Sequence, residues 1–350
     1  MLSRERAVFL LREQANACGA FGSPLYMELL GHVADDVAAG GTVFDLLEPY
    51  DAPNARADAL ALRLMAAVHR LVLTGEAPAL AAHYPSVGGD APNPWPAFAD
   101  VLGGHRERLA PLVALPCQTN EVGRAAALAF GFFEAARSAN MPLRLLEVGA
   151  SAGLNLRWDV YRYGGGGATW GPVDSPVDLV GLWHDAPVVL PSTIRVAERR
   201  GCDPRPVDPT SPEGRLSLEA SLWADQEARF ARLRGALHVA ARVPAEVDRE
   251  SVADWLPRQL GELTPGLATV VYHSIVQEYF SDAVRAAFPA CLEEAGARAS
   301  AGAPLYWLRL EPVSAPELRY AVTLTRWPGG EQRIVAWSGP HGSAVRRADP

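Results

Sequence analysis

The sequence predicts an α/β protein: a mostly parallel, doubly wound sheet that ends in an antiparallel C-terminal hairpin and is preceded by a cap of helices. Three observations carry this expectation. Residues 1 to about 142 place apolar side chains at helical spacing and show no convincing strand alternation. From Pro142 the texture changes to short apolar runs that alternate with helical stretches, the pattern of a βαβ sheet. The chain then closes on two strand-like runs flanking Pro328-Gly329-Gly330, which reads as a hairpin.

At 350 residues the chain exceeds the size at which one core keeps growing. The expected division is a helical cap over about 1–117 and an α/β domain over 118–350, with an insertion at about 161–191. In the cap, Val8, Leu11, Ala15 and Cys18 share a helix face, and Gly19 reads as its stop. Ser23-Pro24 reads as an N-cap with proline at the first helical position, opening a helix through Met27, Leu30 and Val33. Leu60, Leu64, Ala67, Val68 and Leu71 mark the next helix, and residues 96–112 and 121–139 mark two more. The Pro, Gly, Asn and Asp between Tyr84 and Pro96 read as loop. In the second part the predicted strands are residues 143–148, 193–197, 267–273 and 305–310, then 320–327 and 333–337 for the hairpin. A glycine-rich strand-and-turn stretch runs from Gly164 to about Pro191. Long helices are expected over about 213–241 and from Tyr279 to about Ala295.

Composition narrows the function classes. The chain is 49% hydrophobic and 21% charged, a globular rather than disordered balance. Its formal charge of -8 disfavours a dedicated nucleic-acid binder, which needs a basic face to neutralise phosphates. Cys18, Cys117, Cys202 and Cys291 are far apart, so buried free thiols are expected rather than a disulfide framework or a metal site. The first residues are interrupted by charge, unlike a signal peptide, and no stretch is apolar enough for a membrane span. Those readings predict a cytoplasmic protein with a small-molecule substrate.

The sharpest motif is Leu145-Leu-Glu147-Val-Gly149-Ala-Ser151-Ala-Gly153-Leu-Asn155, a strand, a tight small-residue turn and a helix start. Small residues let the backbone turn sharply and let a ligand approach the amides there. The acidic-x-Gly-x-small-x-Gly pattern resembles the first motif of class I S-adenosylmethionine-dependent methyltransferases. That resemblance implies that Glu147 holds the cofactor's ammonium, directly or through water. It implies that the backbone around Gly149, Ser151, Gly153 and Asn155 lies against the cofactor. An acid after the second strand would take the ribose hydroxyls; Asp203 is the candidate and Asp208 the reserve. The same residues, Gly149-Ala-Ser151-Ala-Gly153, also fit the nucleophile elbow of a serine hydrolase, with Glu311 and His341 following in the order of acid and histidine. Against that, the preceding half reads as helical where such a hydrolase places strands. A dinucleotide site is disfavoured because the spacing is not Gly-x-Gly-x-x-Gly. A plain strand-to-helix turn with no ligand is the bland alternative.

With these residues in view, the chain resembles an uncharacterised bacterial family, domain of unknown function 2332, over nearly its whole length. The segments that carry the likeness are Gly22-Ser-Pro-Leu-Tyr26, Gln118-Thr-Asn-Glu-Val-Gly-Arg124, 146–155 with Arg157-Trp158-Asp159, Glu198-Arg-Arg-Gly-Cys-Asp203 with Pro206-Val-Asp208, and Trp327-Pro-Gly-Gly330. The resemblance implies a methyltransferase-like fold and supplies no reaction. One departure is Arg249-Glu250-Ser251-Val252, where a Gly-Asp-Ala-like element is expected; Glu250 would then replace an aspartate that touches adenine, or cofactor binding would be altered.

Other candidates sit at predicted strand and helix ends. Thr119 or Asn120 reads as a simple helix cap, or Asn120 and Arg124 bind a ligand carboxylate, for which a guanidinium offers bidentate recognition. His273 ends a buried strand, where it is either a general base or a hydrogen-bonded strand-end histidine. Glu311 ends the next strand as an acid/base, an amine ligand or a solvated carboxylate. Gln277, Glu278 and Tyr279 would line the same mouth, with Tyr279 joining His273 and Glu311 as a catalytic candidate. Asp225-Gln226 reads as helix surface or cap, and Trp255, Trp307 and Trp337 as core. The function predicted is methyl transfer from S-adenosylmethionine to a small molecule. The alternatives are the same scaffold turned to elimination or cyclisation, the Ser151 hydrolase, and a non-catalytic binding partner.

Overall fold

The computed structural model describes residues 1–51, 58–313 and 319–348. The chain folds as two compact units: Met1–Thr119 with Ser211–Phe230, and Asn120–Thr210 with Ala231–Pro350.

The first unit is helical in its described residues. Helix Arg4–Ala20 is capped by Ser3, whose side chain accepts from the Arg6 amide, and it buries Ala7, Leu11, Ala15 and Cys18. It runs on past Gly19, and the left-handed turn comes at Gly22. Helix Pro24–Ala38 opens as predicted, with Ser23 accepting from the Tyr26 amide and Pro24 in the first turn. Such a cap stabilises a helix by about 1 kcal/mol. The helix expected over 96–112 is two helices, Trp95–Gly104 and Arg106–Val113. Two consecutive glycines, each poor in a helix, precede the break at His105.

The helix expected over 213–241 is also broken, into Pro212–Ala220 and Glu227–Ala240. Between them the chain turns so that Trp223 and Ala224 enter the first unit's core. Asp225 accepts from the Ser23 hydroxyl at 2.6 Å and the Leu25 amide at 3.0 Å. Gln226 donates to the carbonyls of Phe21 and Gly22. Asp225 and Gln226 are therefore the clamp on the Gly22–Tyr26 turn.

The second unit holds an eight-stranded sheet in the order β11-β10-β9-β8-β7-β1-β5-β6. The strands are β1 (Leu143–Val148), β5 (Val196–Asp203), β6 (Glu246–Arg249), β7 (Ala268–Ser274), β8 (Leu305–Val313), β9 (Arg319–Trp327), β10 (Glu331–Ser338) and β11 (Arg346–Arg347). The pairs from β6 to β8 are parallel, and those from β8 to β11 are antiparallel. The mixed α/β class is thus as predicted, with a large, mostly parallel sheet. All six residues of β1 are buried, as expected of a strand covered on both faces. On one face Leu146, Val148, Val271 and Trp307 pack with Trp255, Phe288 and Leu292 of helices Val252–Gln259 and Asp282–Ala297. On the other face Tyr272 meets Phe132 of helix Arg124–Ala139, ring centroids 4.9 Å apart.

Residues 162–183 form a separate sheet, β3-β2-β4, from β2 (Arg162–Gly165), β3 (Ala168–Trp170) and β4 (Asp178–Trp183). It brings Trp170 and Trp183 onto Trp158, Phe130 and Phe133, with Tyr163 stacked on Trp183. The strand order around β1 reverses between β1 and β7. In open α/β sheets the crevice outside the carboxyl ends of the strands at that reversal is where ligands bind.

Candidate functional site

The glycine loop lies at this reversal. Gly149, Ser151 and Gly153 all adopt positive φ, at 68°, 52° and 64°. For serine that conformation is uncommon and costs energy, so surrounding bonds must hold it. They do so closely. The amides of Gly149 and Ala150 donate to the Cys202 carbonyl at 2.9 and 3.0 Å, and the Ser151 amide donates to Asp203 Oδ2 at 3.0 Å. Leu154 N donates to Asn120 Oδ1, and Asn155 Nδ2 to the Glu121 carbonyl. Arg157 donates to the Gly153 carbonyl at 2.7 Å and the Val243 carbonyl at 2.6 Å. No side chain fits at the two glycines: a Cβ on Gly149 would stand 2.5 Å from Val276 Cγ2, and one on Gly153 would stand 2.9 Å from Val247 Cγ2.

The fold therefore brings Glu147, Gly149, Ser151, Gly153, Asn155, Asp203 and Asn120 to one loop. Arg124 reaches the end of β7, donating to the Ser274 and Pro340 carbonyls. Asn120 and Arg124 thus bind backbone, where the sequence reading offered a ligand carboxylate. Asp203 Oδ1 also accepts from the Arg205 amide, and Asp208 accepts from the Thr210 amide and hydroxyl. Glu250 follows β6; its amide donates to the Asp203 carbonyl and its carboxylate is held by Arg258. Asn155 Oδ1 is buried with no hydrogen-bond partner among the described residues.

Glu147 is buried beside the loop, and its carboxylate accepts from the Tyr272 hydroxyl at 3.2 Å. Burial pushes its carboxyl up to about 8, against the opposing Tyr272 hydrogen bond and the Arg157 charge. Tyr272 and Arg157 were not singled out for the site from the sequence. Arg157 was visible within Arg157-Trp158-Asp159, whose other members brace the fold. Trp158 stacks on Phe132 at 4.3 Å, and Asp159 pairs with Arg199.

His273 and Glu311 meet on the other face of the sheet. His273 is fully buried, with Nδ1 2.8 Å from Glu311 Oε1 and Nε2 3.1 Å from Trp307 Nε1. An indole N–H can only donate, so Nε2 accepts and Nδ1 carries the proton toward Glu311. Both ring nitrogens are engaged, the arrangement of a hydrogen-bonded strand-end histidine rather than a poised general base. Glu311 Oε1 also accepts from the amides of Val276 and Gln277. Burial raises the Glu311 carboxyl, but the His273 bond and the two amides outweigh it and hold the group below its usual range. Tyr279 is exposed in the turn Gln277–Tyr279.

The acid and histidine of the hydrolase reading do not pair. Glu311 holds His273, whereas His341 Nδ1 lies 3.5 Å from Glu121 Oε2. The Glu311 and His341 roles of that disfavoured alternative are thus not met, because β8 delivers Glu311 to the histidine of its neighbour β7.

Among the described residues no helix is long and apolar enough to cross a membrane. The chain belongs to the family DUF2332, described as an uncharacterized protein conserved in bacteria, whose model matches residues 9–347. No curated protein and no solved structure matches it.

Proposed function

We propose that the second unit binds S-adenosylmethionine at the carboxyl end of β1 and transfers its methyl group to a small molecule. The observation that carries this reading is the glycine loop, an acid-x-Gly-x-Ser-x-Gly turn at the strand-order reversal with Asp203 at the end of the adjacent strand. The chain's own residues suit such a cofactor. Gly149 and Gly153 let the loop pack tightly against Val276 and Val247, which fixes its backbone in place. The buried Asn155 Oδ1 offers an acceptor beside the loop. Glu147 would take the ammonium, and an adjacent cation favours its charged form and offsets burial. Asp203 has two oxygens and about four lone-pair sites, so the Ser151 and Arg205 amides leave capacity for ribose hydroxyls. The cofactor would supply an electrophilic methyl on sulfur. The protein's part would be proximity and in-line orientation, with His273 and Glu311 fixing the end of β7 rather than moving a proton.

A second reading keeps the fold and drops methyl transfer in favour of elimination or cyclisation. It is favoured by Glu250, both of whose carboxylate oxygens are engaged by Arg258. Calorimetric titration with S-adenosylmethionine and S-adenosylhomocysteine separates the two. Wild-type protein should bind both saturably, in roughly the micromolar range, and folded Gly149→Val and Glu147→Ala should lose that binding. A well-folded wild type that binds neither would sink the methyltransferase reading and leave the scaffold reading standing.

A further inference from the structure

A cavity of about 480 Å³ opens on the sheet face opposite Glu147, between β8–β10 and helix Asp282–Ala297. Its size suits a small molecule. Alternation along β8 puts Trp307, Arg309 and Glu311 on its floor. The register sets Thr323 opposite Arg309 and Ala321 opposite Glu311, so small side chains leave the hollow. Phe280, Phe288 and Arg285 form the wall.

Two charged groups on that floor are incompletely used. Arg309 lies over the Trp307 ring at 4.1 Å and donates from Nη2 to Gln332 at 2.7 Å. Its Nε and Nη1 have no acceptor among the described residues. All three hydrogen bonds to Glu311 converge on Oε1, and Oε2 receives none among the described residues. The Glu311 side chain is only 12% exposed, and partly buried charged groups ordinarily find partners. Residues two apart on a strand stand roughly 7 Å apart. That is about the span of a ligand's neighbouring carboxylate and ammonium with a hydrogen bond at each end.

We propose that this cavity binds an α-amino acid, or a close derivative, with a flat apolar side chain. Arg309, aided by Arg285 at the rim, takes the carboxylate. Glu311 Oε2 takes the ammonium, and Trp307, Phe280 and Phe288 cover the side chain. The inference stands apart from the cofactor reading, because it uses the other face of the sheet and none of the loop.

The test is calorimetric titration of the full chain with L-phenylalanine and L-tryptophan, alongside phenethylamine and 3-phenylpropanoate, which lack the carboxylate and the ammonium respectively. The two amino acids should bind saturably at roughly millimolar concentration or below, with each analogue weaker by about tenfold. Arg309→Met should weaken amino-acid binding at least about tenfold. Arg285→Ala, on an exposed helix surface and safe for folding, should weaken it about threefold. No binding by folded wild type, unchanged binding by Arg309→Met and Arg285→Ala, or equal binding of phenethylamine would each overturn the proposal. The probes carry neither adenosine nor sulfonium, so failure here leaves the cofactor titration untouched.

Discussion

Two carboxylates at the carboxyl ends of strands in one sheet, the buried Glu147 on β1 and the partly buried Glu311 on β8, are shifted in opposite directions. Among the described residues Glu147 has one hydrogen bond, at 3.2 Å, and it is pushed up to about 8. Glu311 gathers an imidazole N–H and two backbone amides on one oxygen and is held below its usual range. Depth alone does not decide the charge of a buried acid; the number of donors aimed at it does. Near neutral pH Glu147 is thus a proton-exchanging group beside the glycine loop, while Glu311 is a fixed anion that holds the end of β7 in place. The first has the signature of a functional carboxyl and the second that of a structural one, with Oε2 of the structural acid still facing a cavity.

The strongest challenge to this contrast is Glu311→Ala. It strands the His273 N–H and two amides, and the expected loss is roughly 3 kcal/mol in urea unfolding. A loss under about 1 kcal/mol would mean that the donors hold nothing together. Next is Glu147→Gln, read across pH. In wild type the folded state keeps a proton on Glu147 that the unfolded chain has released, so stability falls as pH rises from the ordinary glutamate range to about 8 and levels off above it. The variant should lack that slope and at pH 9 exceed wild type by roughly 2 kcal/mol. Identical pH profiles would erase the difference between the two acids. The smallest effect is expected for Tyr272→Phe, which removes the Tyr272 hydrogen bond to Glu147. Its pH midpoint should move upward, at a cost of about 1 kcal/mol at pH 9; a downward move would show that Tyr272 does not stabilise the carboxylate.

Much of the fold could be read because burial writes itself into sequence. β1 and β7 are apolar runs covered on both faces, and their limits came within a residue or two of the observed strands. β6 was missed because Glu246-Val-Asp-Arg249 is short, polar and at the sheet edge, with no apolar period to detect. The break at 221–226 was missed because Leu222 and Trp223 continue a helical period; the need to clamp Ser23 overrides it. At the loop, Gly149, Ser151 and Gly153 announced themselves, since positive φ and close approach demand small residues. Tyr272 and Arg157 did not, because their importance comes from which groups the fold sets beside them. The His273–Trp307 bond depends on strand register, which single residues do not reveal.

The return of residues 211–230 to the first unit has a consequence for how the protein is made. The first unit is not a contiguous module, because Trp223 and Ala224 complete its core and Asp225 caps its second helix. A nascent chain that has reached Thr119 still lacks those groups, and β1 and the glycine loop are synthesised before they arrive. Folding here cannot finish one unit and then begin the next, as chains of tandem domains do. A fragment cut at residue 119 would therefore carry an open apolar socket, and expression trials should keep the chain through residue 230.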